Sequence, residues 1–419
     1  MKSRHSHFVL LGLLAASPSA FSGNLDDWFS LEGFGTVGTY RADSPVATVK
    51  VDDRESTGSL DQTRFDGDTQ LAVQAKVRFN DDLKGVLQLI SKKNAESSDR
   101  PAVNWAYLDW DISNELGVKF GRSVAPIFLM SDYRDLNYSQ TMVRPPIEPY
   151  GENPITYQDG VNALWEKNIG PGELSIEGFF GKSQVDVGVG TVTFNRASGL
   201  SSKWAQGPVS LRIGYSAYKF YSDVAVLSAE VSQLSALPAS VCTNCAEVVP
   251  VRALLTNLTG AITTIGAVYD QDNVLLQAEY MRRTTNSSIA PNQDAGYLMA
   301  AYRIGKFTPY TSYAQLTSEA SPFNLQPGPG APAGFATELN YLNQSLLGYG
   351  YSDAKTYTIG ARWDFAKNVA LKAQIDHIVV DKPDVGSSVI LVFPTSLLGT
   401  PNGFGGNVNL FTLNLDFIF

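Results

Sequence analysis

Residues 71–79 alternate strictly: Leu71, Val73, Ala75, Val77 and Phe79 are apolar, and Ala72, Gln74, Lys76 and Arg78 lie between them. A period of two with one apolar and one polar face predicts a strand whose two sides meet different surroundings. After the turn residues Asn80-Asp81-Asp82, Leu83, Gly85, Leu87 and Leu89 alternate with Lys84 and Gln88. The pattern returns in Leu174-Ile176-Gly178-Phe180, Val209-Leu211-Ile213-Tyr215 and Leu276-Ala278-Tyr280. It returns again in Leu298-Ala300-Tyr302, Tyr357-Ile359-Ala361-Trp363 and Leu371-Ala373-Ile375. No stripe of helical period competes over these windows.

The connections are as constraining as the strands, because they alternate in length. Short ones fall at 80–82, 113–115, 167–171, 206–208, 270–273, 305–306 and 366–368. Long ones fall at 41–68, 93–102, 123–154, 183–191, 220–260, 284–294, 317–353 and 381–406. Seven short turns and eight long loops make sixteen antiparallel strands with both termini at the short-turn end. A soluble sandwich has no reason to alternate its connections in this way. Transmembrane barrels do, with short periplasmic turns and long external loops. The physical requirement is that in hydrocarbon every backbone N–H and C=O is paired, so a sheet can span only when closed on itself.

Composition agrees with this class. Charged residues make up 17% of the chain, below the roughly 25% of soluble proteins. No stretch approaches the ~18 uninterrupted apolar residues of a spanning helix. The net charge of −9 argues against a nucleic-acid partner. At the start, Lys2 and Arg4 precede an apolar run from Phe8 to Ala16, followed by Ala20-Phe21-Ser22. That is the plan of a secretory signal, cleaved after Ser22, and the run is too short to span. The expected organisation is therefore a signal peptide at 1–22 and an all-β barrel at 23–419.

The last segment presents Phe411, Leu413, Leu415, Phe417 and Phe419 on one face and Thr412, Asn414 and Asp416 on the other. With Val118-Lys119-Phe120-Gly121-Arg122 before the third long loop and Phe307-Thr308-Pro309-Tyr310-Thr311-Ser312-Tyr313-Ala314 later, it resembles the Gram-negative general porin family. The resemblance implies a homotrimer in the bacterial outer membrane and a passive aqueous channel for small hydrophilic solutes. It also implies that a terminal Phe419 is read by the outer-membrane assembly machinery, and that the third loop folds inward. The length leaves room for eighteen strands, with Val389-Ile390-Leu391-Val392-Phe393 as the extra pairing segment. Trp110, Trp165, Tyr215, Tyr280, Tyr302, Trp363, Phe411 and Phe419 share the apolar parity, as an aromatic girdle would. Strand propensity explains any one of them but not their common side.

Catalytic chemistry is not in evidence. Removal of the signal takes His5 and His7 and leaves His377 as the only histidine. No G-x-S-x-G occurs, since Gly214-Tyr215-Ser216 and Gly350-Tyr351-Ser352 lack the closing glycine. The chain is not expected to be an enzyme or to need a cofactor. Cys242-Thr243-Asn244-Cys245 is the one C-x-x-C, and zinc would want two further ligands. In an oxidising envelope a disulfide is expected, with free or intermolecular thiols as the alternative. The Ala/Leu/Ser-rich stretch Asp223–Leu237 suggests a short loop helix.

Pore-lining candidates come in two sets. The third loop, 123–154, carries Asp132, Arg134, Asp135, Arg144, Glu148 and Glu152, with Pro145, Pro146 and Pro149 stiffening its return. Without the resemblance it reads equally as an exposed loop. On the wall, Lys76, Lys119, Arg212, Arg362 and Lys372 have lumen parity four residues from a short turn, roughly 10 Å above the periplasmic rim. Arg78 shares the parity of Lys76, and Asp109 is the one acid expected at that height. These cations would form an arc facing the loop acids, giving a transverse field and a weak anion preference. Coincidence among polar lumen residues is the plainer alternative. Arg122, outward-facing at an external strand end, suggests a subunit contact, with Glu96 or Asp99 of the second external loop as partner. The functions to distinguish are a general-diffusion porin, a selective anion or organic-acid channel, and a non-transporting adhesin or scaffold barrel.

Overall fold

The computed structural model describes residues 28–44, 49–51, 58, 61–94, 98–151, 153, 155–186, 190–223, 225–288, 290–319, 324–337, 339, 343, 353–381 and 406–419. The proposed leader at 1–22 and the segment 389–393 lie outside them. The strands are β1 (Phe29–Ala42), β2 (Gln70–Arg78), β3 (Leu83–Lys92), β4 (Ala102–Asp111), β5 (Leu116–Val124), β6 (Tyr157–Ile169), β7 (Gly172–Asp186) and β8 (Thr191–Gln206). They continue as β9 (Val209–Asp223), β10 (Leu258–Gln271), β11 (Val274–Thr285), β12 (Gln293–Tyr302), β13 (Phe307–Ser318), β14 (Ala354–Ala366), β15 (Val369–Val380) and β16 (Gly406–Ile418). Each pairs antiparallel with its neighbours, and β1 closes the ring on β16 from Phe34↔Ile418 to Ala42↔Leu410. The closed ring has sixteen strands, which removes the eighteen-strand alternative.

Short turns follow from residues that tolerate left-handed backbone. Gly170 (φ 60°) and Gly207 (φ 54°) each precede a proline, and Asp272 (φ 54°) and Asn368 (φ 62°) serve at two other turns. Gly pays no Cβ penalty there, and Asn and Asp tolerate it best among the rest. One expected long loop is corrected. The segment 183–191 is mostly strand, because β7 runs to Asp186 and β8 starts at Thr191. Register shifts between Gly181 and Ser183, and between Phe194 and Arg196, insert residues that break the period-two pattern.

The outward face is apolar and bare. Leu211, Ile213, Tyr215, Leu298, Ile359, Trp363, Phe411 and Leu413 are 39–64% exposed, as a surface solvated by lipid would be. The girdle residues Trp110, Tyr280, Tyr302 and Phe419 are exposed on the same side, and Trp165 is half-buried there. Phe307 and Trp363 stack with ring centroids 5.4 Å apart.

The main core lies inside the barrel. Ala125, Ile127, Phe128, Met130, Met142, Tyr150 and Ile155 of the third loop pack on Phe179, Tyr218, Ile262, Met281, Tyr297, Met299, Tyr310 and Leu316 of the inner wall. The lumen wall is thus not uniformly polar. Outside the barrel, helices α2 (Ala225–Ser235) and α3 (Cys245–Arg252) share a second core with Leu325 and Leu339.

Candidate functional site: a loop-narrowed channel

The third loop turns into the barrel after Val124, and wall side chains fasten it there. Arg212 of β9 donates to the Ile127 carbonyl at 2.7 Å and to that of Pro126. Thr264 of β10 donates to the same Ile127 oxygen at 3.0 Å. Glu279 of β11 accepts from the Leu129 N–H at 2.7 Å and from the Tyr150 hydroxyl, tying the two limbs of the loop to one carboxylate. Further along, Arg362 of β14 donates to the Gln140 carbonyl at 2.9 Å and to that of Tyr138. Lys372 of β15 donates to the Met142 carbonyl at 3.0 Å and to that of Asn137. It also forms an ion pair at 2.9 Å with Asp416, both side chains at 0% exposure.

The return limb is held as firmly. Arg144 pairs with Asp68 of the first external loop, Nε to Oδ1 at 2.9 Å, and donates to Thr412 at 3.1 Å. The Val143 N–H donates to Gln374 at 3.2 Å. The Thr356 hydroxyl donates to Glu148, which sits at the start of a one-turn helix, α1 (Ile147–Tyr150), and is 2% exposed. Asp135 pairs with Lys92 of β3 at 2.6 Å. The loop therefore crosses the lumen against β9–β16, and the reading of it as an exposed surface segment is set aside.

These contacts correct the expected cationic arc. Arg212, Arg362 and Lys372 do not face solute; they lie beneath the loop and neutralise the oxygens of its backbone. The sequence misled because a lysine or arginine of lumen parity looks the same whether it meets water or a carbonyl. Lys76 is paired at 2.8 Å with Glu32 of β1, an acid of lumen parity that the expectation of a lone Asp109 had missed. Lys119 is half-buried, its ammonium 5.5 Å from the Tyr107 ring centroid. Arg78 is exposed at the strand end by the first short turn. Glu148, expected to line the pore, is buried against Thr356, and Glu152 lies outside the described residues.

Arg122 has a partner within its own chain. Its guanidinium makes two hydrogen bonds to Asp159 of the adjacent β6, at 2.7 and 2.8 Å, and lies 4.0 Å from the Tyr157 ring centroid. Within its own chain the carboxylate paired with Arg122 is Asp159, and Glu96 is outside the described residues. Cys242 and Cys245 are joined in a disulfide with Cα atoms 5.5 Å apart. The bridge lies in the external core, where Thr243 N–H donates to Gln326 O at 2.9 Å and Gly328 N–H to Val241 O at 2.8 Å. Phe419 closes the sheet, exchanging backbone hydrogen bonds of 2.8 and 2.9 Å with Gly33.

An open gap lies between loop residues 131–136 and the strands on the other side. It is lined by Glu32, Gln74, Gln88, Asn104, Trp105 and Asp132, among others. Asp132 is exposed and within Coulombic reach of Tyr107 and Glu177 across the lumen. Asn162 donates to Glu177 at 2.9 Å. The carboxamides were missed by a search for charge; their signal was uncharged polar residues at lumen parity.

No family profile matches the chain and no curated protein resembles it in sequence. Solved structures do match in shape. OmpF of Salmonella typhi, in complex with daunomycin, aligns over 93% of this chain and 97% of its own at 15% identity, with a TM-score of 0.55. The outer-membrane channel DcaP of Acinetobacter baumannii aligns over 94% and 98% at 13% identity and a TM-score of 0.54. An anion-selective porin from Comamonas acidovorans aligns over 93% and 100% at 14% identity and a TM-score of 0.52. With its closed sixteen-stranded ring, apolar exterior and inward third loop, the chain has the fold of the outer-membrane porins.

Proposed function

We propose that this protein is an outer-membrane porin, a passive water-filled channel for small hydrophilic solutes narrowed by its third loop. The observation that carries the reading is the inward loop: a charged, backbone-anchored segment crossing the inside of a closed barrel leaves an aqueous gap beside it. An adhesin or scaffold would have no use for a lumen shaped in this way. The protein would reach the outer membrane behind a leader removed after Ser22, be inserted by machinery that reads Phe419, and act as a homotrimer. It would do no chemistry. His377, the one histidine beyond the leader, has its Nδ1 2.8 Å from the amide oxygen of Asn409 rather than beside a nucleophile.

The charge preference of such a channel follows from the groups that face water. With Arg212, Arg362 and Lys372 beneath the loop, the charged residues lining the gap are Glu32, Asp132 and Asp135 against Arg134. Fields act over about 8 Å at physiological salt, so this local balance would govern. The proposed preference is for cations, the reverse of what a free arc of lysines and arginines would give. Liposome swelling tests the channel itself. Vesicles carrying the purified protein should swell in isotonic solutions of small neutral solutes, and vesicles that swell no faster than protein-free ones would contradict it.

A further inference from the structure

We infer that the gap beside the third loop is a binding site for a neutral polyhydroxylated solute, a sugar or sugar alcohol. The inference rests on the channel reading above and adds the solute class. Its core is a row of three side-chain amides across β2, β3 and β4. Gln88 Nε2 donates to Gln74 Oε1 at 3.0 Å, and Asn104 Nδ2 donates to Gln88 Oε1 at 2.7 Å. The middle member is 3% exposed, while Gln74 and Asn104 are half-buried and line the gap. Gln88 therefore holds the two outer amides in place, and each outer amide keeps hydrogen-bonding capacity for a ligand.

A backbone irregularity builds the rest. Gln88 pairs with Trp105 and Leu89 with Val103, so Asn104 is an extra residue bulged out of the β4 ladder. Bulges of this kind re-aim side chains. Here the bulge brings Asn104 and Trp105, consecutive in sequence, to the same gap. A half-buried indole in a water-filled lumen has no role in passing ions. Across from it, the loop presents Ser131 and the carboxylate of Asp132. Of the charged groups lining the gap, Glu32 is paired with Lys76 at 2.8 Å and Asp135 with Lys92 at 2.6 Å, and Arg134 donates to the Asn153 carbonyl at 3.0 Å.

This combination matches one kind of solute. Amides offer donor and acceptor together, as neighbouring hydroxyls do, and carry no charge to select an ion. A carboxylate accepts from hydroxyls more strongly than a neutral group. The flat indole suits the C–H face of a sugar ring, an apolar body with a polar rim. Amides that merely filled a wet wall would need neither the buried relay through Gln88 nor the bulge.

The experiment is single-channel recording of the full-length protein in planar bilayers, with maltose or sorbitol added to one side. The wild type should show saturable, concentration-dependent interruption of its salt current, beyond the loss due to viscosity. Trp105→Ala and Gln74→Leu should each raise the half-saturating maltose concentration by roughly tenfold, the value of one good contact. Two variants on different strands keep the test open if one fails to insert. Tyr215→Phe, on the lipid face, should keep the wild-type response. If wild-type channels pass salt current but maltose does no more than thicken the solution, the inference fails and the channel reading stands. Interruption as strong in both gap variants as in the wild type overturns it equally. If no salt current is seen at all, both readings fail together.

Discussion

Replacing Lys372 with methionine isolates what holds the loop in the barrel. The lysine has 0% exposure, pairs with the equally buried Asp416 at 2.9 Å, and donates to the carbonyls of Asn137 and Met142. Methionine has similar length but no charge and no donor. It would leave Asp416 with the Thr36 hydroxyl at 2.7 Å as its remaining hydrogen-bond donor, and two loop carbonyls facing a thioether. Removing one member of a buried ion pair costs about 3–5 kcal/mol, because the other charge stays buried and unpaired. At 1.4 kcal/mol per decade this shifts the balance between docked and undocked loop by between roughly a hundredfold and a few thousandfold. The barrel should survive, since its strands are joined by backbone ladders that the substitution does not touch. Single-channel recording reads the effect: the variant should flicker to a larger conductance as the loop leaves the wall. The double variant Lys372→Met/Asp416→Leu removes the stranded charge and should recover much of the steady behaviour. Lys372→Met channels as steady as wild type, at the same conductance, would refute the view that this pair anchors the loop.

Three other outcomes are expected. Deleting Phe419 removes the backbone pair with Gly33 at the barrel seam, so outer-membrane insertion should fall while export is unchanged; equal amounts of heat-modifiable barrel would count against this. Arg122→Glu sets two acids side by side on β5 and β6, and Asp159→Arg in the same chain should restore the lost melting temperature. No restoration would mean that Arg122 answers to some group other than Asp159. Burial would raise the Asp66 carboxyl, but hydrogen bonds and charge from Arg64 and Lys93 outweigh it and hold it below its ordinary value of 3.8. A carboxyl lowered on folding stabilises above its unfolded value and loses that stabilisation as pH falls through the folded one. The difference in melting temperature between wild type and Asp66→Asn should therefore shrink as pH falls below about 4, and a difference that does not shrink on acidification would contradict it.

The barrel was legible because its physics is periodic. Leu211, Ile213 and Tyr215 face lipid for the reason that made them alternate with polar neighbours, and short turns announced themselves through Gly170, Gly207, Asp272 and Asn368. The alternation failed where the backbone did. The shifts near Ser183 and Arg196 hid the upper ends of β7 and β8, and the extra residue at Asn104 hid half of the amide row. The site was harder for a different reason. Parity says which side of the sheet Lys372 is on, but not that Asn137 and Met142 will lie against it. That depends on contacts between residues some 230 positions apart, which no local pattern encodes. Charge drew attention to Arg212, Arg362 and Glu148, which hold the loop, and away from Gln74, Gln88 and Asn104, which line the gap.

The most direct test is a single-channel record of the wild-type protein in a planar bilayer under a salt gradient. The account predicts discrete conductance steps and a reversal potential of the sign given by cation preference, reduced when Asp132 is changed to Asn. A bilayer in which the correctly folded barrel produces no steps would contradict the claim that this is a channel, and a strongly anion-selective one would contradict the placing of its charges.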